Sequence, residues 1–157
     1  VAQDAQLTHG VTLRPGLPAD IDRVAAFAFE GMQVHRYPGL RADKGKVRGV
    51  VAALIGGAPG FHLAALNPEG ELVGIVAAVQ VPMLFFERSE AVVVACRATQ
   101  PGAGRALLRE LKAWAQGNPA VRRVIWPIEF HSPKSTVRLA QRLGFTQVAH
   151  TCIFEKE

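Results

Sequence analysis

Only two cysteines occur in the chain, Cys96 and Cys152, and neither stands in a Cys-x-x-Cys or Cys/His spacing. Neither a disulfide framework nor a zinc site is therefore indicated, and a reducing cytoplasm fits best. No apolar run approaches the roughly 20 residues a membrane helix needs. The first residues also lack a charged segment followed by an apolar one and a cleavage site, so a soluble protein with no membrane partner is expected. Basic residues never gather. Lys and Arg number 18 against 13 acids, a net charge of +5, without a basic run and with little interleaving of bases and aromatics. The charge favours anionic partners such as phosphates, nucleic acid or acidic lipid, and its scatter makes nucleic acid an unlikely partner. Tyrosine is almost missing, Tyr37 being the only one.

What is present is apolar bulk. At 157 residues and 49% apolar the chain can bury one sizeable core but not comfortably two. Residues 1–10, which begin with Val, are set aside as a flexible tail, leaving a single domain over 11–157. "VTLRPG" alternates apolar and polar residues and reads as a first strand. In "PADIDRVAAFAFEG" the apolar residues Ile21, Val24, Ala25 and Ala28 recur at helical spacing, with acids in the first turn and Gly31 as the expected stop. Residues 32–60 are loop-like, with a short helix expected in "VRGVVAALIGG".

"FHLAAL" and "ELVGIVAAVQV" flank the turn "NPEG", which predicts a hairpin, and "EAVVVACR" is apolar enough to be a strand buried on both faces. From Gly104 to Gln116, Leu107, Leu111 and Trp114 line one helical face while Arg105, Arg109 and Lys112 line the other. "VRRVIWPI" is a further strand that Pro127 would interrupt. "HSPKSTVRLAQRLGF" offers Ser132 as an N-cap and Gly144 as a C-terminal cap, and "TQVAH" with "CIFEK" reads as a closing strand pair. The order predicts a mixed α/β fold with antiparallel early strands and one parallel crossover from Ala91 to Ile128.

The informative stretch is "EAVVVACRATQPGAGRALLRELKAWAQ", a buried strand running through a glycine-rich turn into an amphipathic helix. Such a junction gathers backbone N–H groups at the positive end of a helix dipole, and that combination binds anions. A P-loop would need Gly-Lys-Ser/Thr, but Gly104 is followed by Arg105 and Ala106; a dinucleotide fingerprint would need glycine where Leu107 stands. The run Thr99-Gln100-Pro101-Gly102-Ala103-Gly104, followed by "RALL", resembles the acyl-CoA loop of the GNAT superfamily of N-acyltransferases, Arg/Gln-x-x-Gly-x-Gly/Ala. "LRPGLPADIDRV" and "RLAQRLGF" resemble that family's opening strand and helix and its late helix, and the closing "FEKE" is similar to some phage-encoded members.

The resemblance implies a GNAT-like fold, with a mixed central sheet flanked by helices and a splayed parallel strand pair. It implies acetyl-CoA as co-substrate, with Gln100, Gly102, Ala103, Gly104 and Arg105 around its pyrophosphate. Val92, Val94 and Cys96 would run beside the pantetheine arm, with the parallel strands parting at Pro127 to admit it. It also implies transfer of acetyl to a primary amine by direct attack, a reaction that requires no metal. Three residues depart from the pattern: Thr99 replaces Arg or Gln, Pro101 removes an N–H from the loop, and Ala140 stands where the family often has a tyrosine that protonates the leaving thiolate.

An amine that arrives as ammonium needs a base before it can attack. Glu87 and Glu90 are the candidates, with Glu129 and Glu30 behind them, although solvated acids in a connection would look the same. His131 follows the splayed strand and could act as acid or base near neutral pH, or simply precede a helix cap. His35 and Tyr37, with Arg36, lie in the segment that lines the acceptor groove in the resembled family, where an ordinary polar loop would look alike. No His/Asp arrangement supports Cys96 as an acyl-carrying nucleophile. Phe85 and Phe86 read as core or groove wall. The function expected is acetyl-CoA-dependent N-acetylation of an unidentified amine; a CoA-binding module without turnover and, behind it, a basic nucleic-acid-binding domain are the alternatives. A homodimer is compatible with this reading.

Overall fold

The computed structural model describes residues 7–8, 10–34, 42–128 and 134–146. Among the described residues six strands form one sheet in chain order: β1 (Leu7–Thr8), β2 (Val11–Arg14), β3 (Gly60–Leu66), β4 (Leu72–Pro82), β5 (Ser89–Ala98) and β6 (Val121–Ile125). The first five pair antiparallel, while β5 and β6 pair parallel. The parallel pair is joined by helix α3 (Ala103–Gly117), the crossover that parallel neighbours require. Leu7–Thr8, within the segment set aside as a tail, pair with Thr12 and Val11.

Helix α1 (Ile21–Val34) follows a 3-10 turn over Pro18–Asp20, and α2 is Lys44–Ile55, capped by the Asp43 carboxylate on the Lys46 N–H. Gly31 does not end α1. A Cβ there would come within 2.9 Å of Arg97 Cδ, so the glycine makes room for a side chain from β5 and the helix continues past it. Arg97 donates to the Phe27 carbonyl at 2.7 Å and to Glu30 at 3.0 Å, and its guanidinium lies over the Phe27 ring, 4.3 Å from the centroid.

The hydrophobic core lies between the sheet and α3, where Leu107, Leu108 and Leu111 are wholly buried against Val11, Leu63, Val76, Ala91 and Val93. Each such leucine removes enough apolar surface from water to contribute about 1.5–3 kcal/mol. Phe61 and Trp114 extend this core, with ring centroids 5.2 Å apart. On the opposite face, α1 and α2 cover a floor of small residues, Ala64, Ala77 and Ala95.

Strand β5 departs from the expectation of burial on both faces. Ala91 and Val93 are buried under α3, but Val92 is half-buried and Val94 is 37% exposed. Helix α4 (Lys134–Arg142) ends as expected at Gly144, whose φ is 86°, with the Phe145 N–H returning to the Ala140 carbonyl at 3.0 Å. Ser132 and the expected closing strand pair lie outside the described residues.

Candidate active site

After Ala98 the chain leaves the sheet and turns into α3. Thr99 ties this departure to β4: its N–H donates to the Val73 carbonyl at 2.8 Å and its hydroxyl donates to the same oxygen at 3.3 Å. Gly102 occupies the N-cap with φ 87° and ψ −29°, a left-handed conformation that disfavours any residue with a Cβ. The Ala103 N–H is taken by the Gln100 carbonyl at 3.2 Å, and the Ala106 N–H by the Gly102 carbonyl at 3.0 Å. Among the described residues no protein acceptor meets the N–H of Gly102, Gly104 or Arg105. Three donors without a protein acceptor therefore stand at the positive end of a 15-residue helix. Ala103, by contrast, is wholly buried in the core and its N–H is taken within the turn. Gln100 extends its amide toward Gly10, where an added Cβ would lie 3.9 Å from Nε2.

The second element is the edge of β5. Its parallel ladder with β6 runs from Ser89 opposite Val121 to Val92 opposite Ile125 and stops there, two residues before Pro127. Among the described residues the β6-facing edge of β5 has no partner strand beyond Val92, which leaves its backbone groups available to an extended ligand with amides of its own. On the β4 side the register shifts: Ala77 lies opposite Ala95 and Ala78 opposite Val93, which leaves Val94 as an extra residue in a β-bulge. A bulge turns a backbone group out of the ladder, and this one sits at the mouth of the splay.

The acids and thiol fall into distinct positions. Glu90 is on the open side of β5 with Val92, and it accepts a hydrogen bond from Arg123 Nε at 2.7 Å across the parallel pair. Glu87 is exposed in the turn between β4 and β5. In that turn Leu84, Phe85 and Phe86 are 86%, 84% and 68% exposed, so Phe85 and Phe86 are not core. Glu30 is held by Arg97. Cys96 packs on the α3 side and burial pushes its thiol up to about 12, so it is not a thiolate at neutral pH and only its backbone lies along the open edge. Arg105 is exposed in the first turn of α3, beside the free N–H groups. His35, Tyr37, Glu129 and His131 lie outside the described residues. Ala140 is buried and offers no hydroxyl.

Two polar features escape sequence reasoning. Asp20, only 7% exposed, accepts from Arg14 at 2.6 and 3.0 Å, from Arg23 at 2.7 Å and from the Leu17 N–H at 2.8 Å, and these partners, led by Arg14, hold its carboxyl well below the usual range. It anchors the entry to α1. His62 lies opposite Ala77, itself opposite Ala95, so histidine, two alanines and the bulge share one row across the sheet. Its Nε2 is buried without a hydrogen-bond partner among the described residues, and burial pulls its pKa below the usual value despite the opposing Gly16 backbone. In "FHLAAL" nothing marks this histidine, because an inward position on one side of a strand looks the same for any residue.

Free helix-terminal N–H groups suit a phosphate, and the bulged, half-open strand leading away from them suits an extended arm ending in a polarisable carbonyl. The comparisons agree with this geometry. Residues 27–145 match the Acetyltransferase (GNAT) family. A possible acetyltransferase from Clostridium difficile 630 superposes with a TM-score of 0.73 at 12% identity, covering 94% of this chain and 97% of that one. An aminoglycoside acetyltransferase from an uncultured soil metagenomic sample gives a TM-score of 0.64 at 21% identity, covering 93% and 99%. An aminoglycoside N-acetyltransferase in complex with CoA gives 0.67 at 14%, covering 96% and 97%. Curated protein sequences give no match. By the extent of the family match and the fold that carries it, the chain belongs to the GNAT acetyltransferase family.

Proposed function

We propose that the protein transfers an acetyl group from acetyl-CoA to a primary amine by direct attack. The observation that carries this reading is the continuity of three free N–H groups at the start of α3 with the unpaired, bulged edge of β5. The N–H groups of Gly102, Gly104 and Arg105 would hold the pyrophosphate, with the Arg105 side chain adding charge from the exposed helix face. Backbone groups of Val92, Val94 and Cys96 would pair with the amides of the pantetheine arm as an added strand does. An N–H at the Val94 bulge would face the thioester oxygen as negative charge develops on it.

The amine nitrogen forms the C–N bond, the C–S bond breaks, the amine gives up a proton and the CoA sulfur takes one. An amine of pKa near 10 is almost wholly protonated at neutral pH, so the first proton must leave before attack. Glu90, on the open side of β5, is the base we favour, with Glu87 in the exposed turn able to relay the proton to solvent. His131 stays assigned to the acid–base step, and His35 and Tyr37 to the acceptor groove. With Ala140 supplying no hydroxyl, water or His131 protonates the sulfur. The test is a panel of amines, among them aminoglycosides, peptide N-termini and lysine, offered with acetyl-CoA. Acceptor-dependent thiol release together with a product heavier by one acetyl group is expected, and thiol release no faster than in protein-free controls for every amine would refute the reading.

A further inference from the structure

Between the sheet and helices α1 and α2 lies a cavity of about 30 Å³, walled by Val24, Ala28, Val51 and Leu54 and floored by Ala64, Ala77 and Ala95. Its walls are apolar apart from His62 at one end. Ala95 follows the bulge residue Val94, so the floor begins where the bulge ends. An acyl group attached at the bulge has two sides to choose from. The α3 side is sealed, because Ala91 and Val93 are packed against wholly buried leucines. On the α1/α2 side the cavity lining begins at Ala95, next to the 37% exposed Val94, and continues to Ala77.

Three alanines line this floor beside Leu63, Ile75 and Val76, and larger side chains at Ala77 or Ala95 would reduce the space. A cavity of this size holds about two water-sized groups, and one with apolar walls gains more from methylenes than from water. A charged or polyhydroxylated acceptor would find no partner there besides His62. We propose that this cavity is an acyl pocket and that the enzyme accepts acyl-CoA thioesters one or two carbons longer than acetyl, propionyl and butyryl. This rests on the acyltransferase reading above and follows the same exchange of bonds, with only the chain on the carbonyl lengthened. His62, at the end of the cavity, limits the length.

The experiment is calorimetric titration of free CoA, acetyl-CoA, propionyl-CoA, butyryl-CoA and hexanoyl-CoA into the full chain, with turnover measured on any amine that accepts acetyl. Affinity should rise about fourfold from acetyl to propionyl, the value of one buried methylene, and fall back at hexanoyl. Ala77→Val, which fills the floor, should erase the propionyl gain while keeping the affinity for free CoA. Val51→Ile adds a single methylene from the helix side and should do the same more weakly, which keeps the test sharp if Ala77→Val melts. Equal affinities for acetyl-CoA and propionyl-CoA in a chain that binds free CoA would overturn the pocket alone. A chain that binds no CoA at all would overturn both the acyltransferase reading and the pocket.

Discussion

The two faces of the sheet are built from different residues and answer different needs. Under α3, long side chains close the space: Leu107, Leu108 and Leu111 reach Val76, Val93 and Leu63, and every one of them is buried. Under α1 and α2 the floor carries three alanines beside Ile75, the His62 Nε2 has no partner among the described residues, and Val94 stands 37% exposed at the edge. The same strand serves both, since β5 turns Val93 into the core and Val94 out of it. The α3 face fixes where β5 and the start of α3 lie. The other face forgoes packing to leave room beside the bulge.

The contrast can be broken at its strongest point by chemistry. Glu90→Gln, on the open side of β5, should lower kcat/KM by roughly 10²–10⁴-fold while acetyl-CoA affinity is nearly unchanged. Steady-state rates and a binding titration on the same sample decide it. Full activity in Glu90→Gln and in Glu87→Gln alike would move the base elsewhere, with His131 the next residue to replace.

On the sealed face the effect should appear in stability. Leu111→Ala removes a wholly buried side chain at the centre of the core and should cost about 2–5 kcal/mol. Thermal melting should show this as a drop of several degrees or more, since about 1 kcal/mol shifts Tm by roughly 2–4 °C in a domain of this size. A loss under 1 kcal/mol would mean that the α3 packing is not what holds the sheet.

Asp20 tests the anchor of α1. Asp20→Asn should cost about 2 kcal/mol at neutral pH by weakening charge-assisted hydrogen bonds to Arg14 and Arg23. The sign of its pH dependence follows from the lowered pKa. The folded state binds fewer protons at Asp20 than the unfolded state, so the contribution is complete above about pH 4 and is lost as pH falls through the folded value. Melting curves of wild type and Asp20→Asn should converge from about pH 4 downward, and a gap that is constant with pH would show that the carboxylate charge is not the cause. The smallest effect belongs to the open edge: Val94→Ala should change stability by no more than about 0.5 kcal/mol, because its side chain is already partly in water. A loss as large as that of Leu111→Ala would erase the distinction between the faces.

The parts of this arrangement visible in the sequence are the local ones. The strand, the Gly102 turn and α3 are contiguous, and each carries its own signal in periodicity or in a glycine that a left-handed N-cap requires. The parting of β5 from β6 was legible too, because Pro127 cannot continue a ladder. What could not be read depends on partners distant in the chain. The bulge at Val94 exists only as a mismatch of register with Ala77 and Ala78 on β4. Gly31 resembled a helix stop because the side chain that fills its notch, Arg97, comes from another element. The exposure of Phe85 and Phe86 ran against their apolar character. His62 became notable only when the sheet placed it in line with Ala77 and Ala95.

The claim on which the rest depends is that the start of α3 and the open edge of β5 together hold a CoA thioester. Calorimetric titration of acetyl-CoA into wild type and Gly104→Val tests it most directly. At Gly104 a Cβ would already lie 3.4 Å from Ala98 Cβ, and within 4 Å it would meet no residue of the leucine core. Wild type should give saturable heat and a raised Tm, with about 2.7 kcal/mol of stabilisation at a hundredfold excess of ligand over Kd. Gly104→Val should keep its circular dichroism spectrum and lose at least tenfold in affinity, a difference of about 1.4 kcal/mol. Absence of both heat and thermal shift in wild type at millimolar acetyl-CoA, or unchanged affinity in a folded Gly104→Val, would contradict the account.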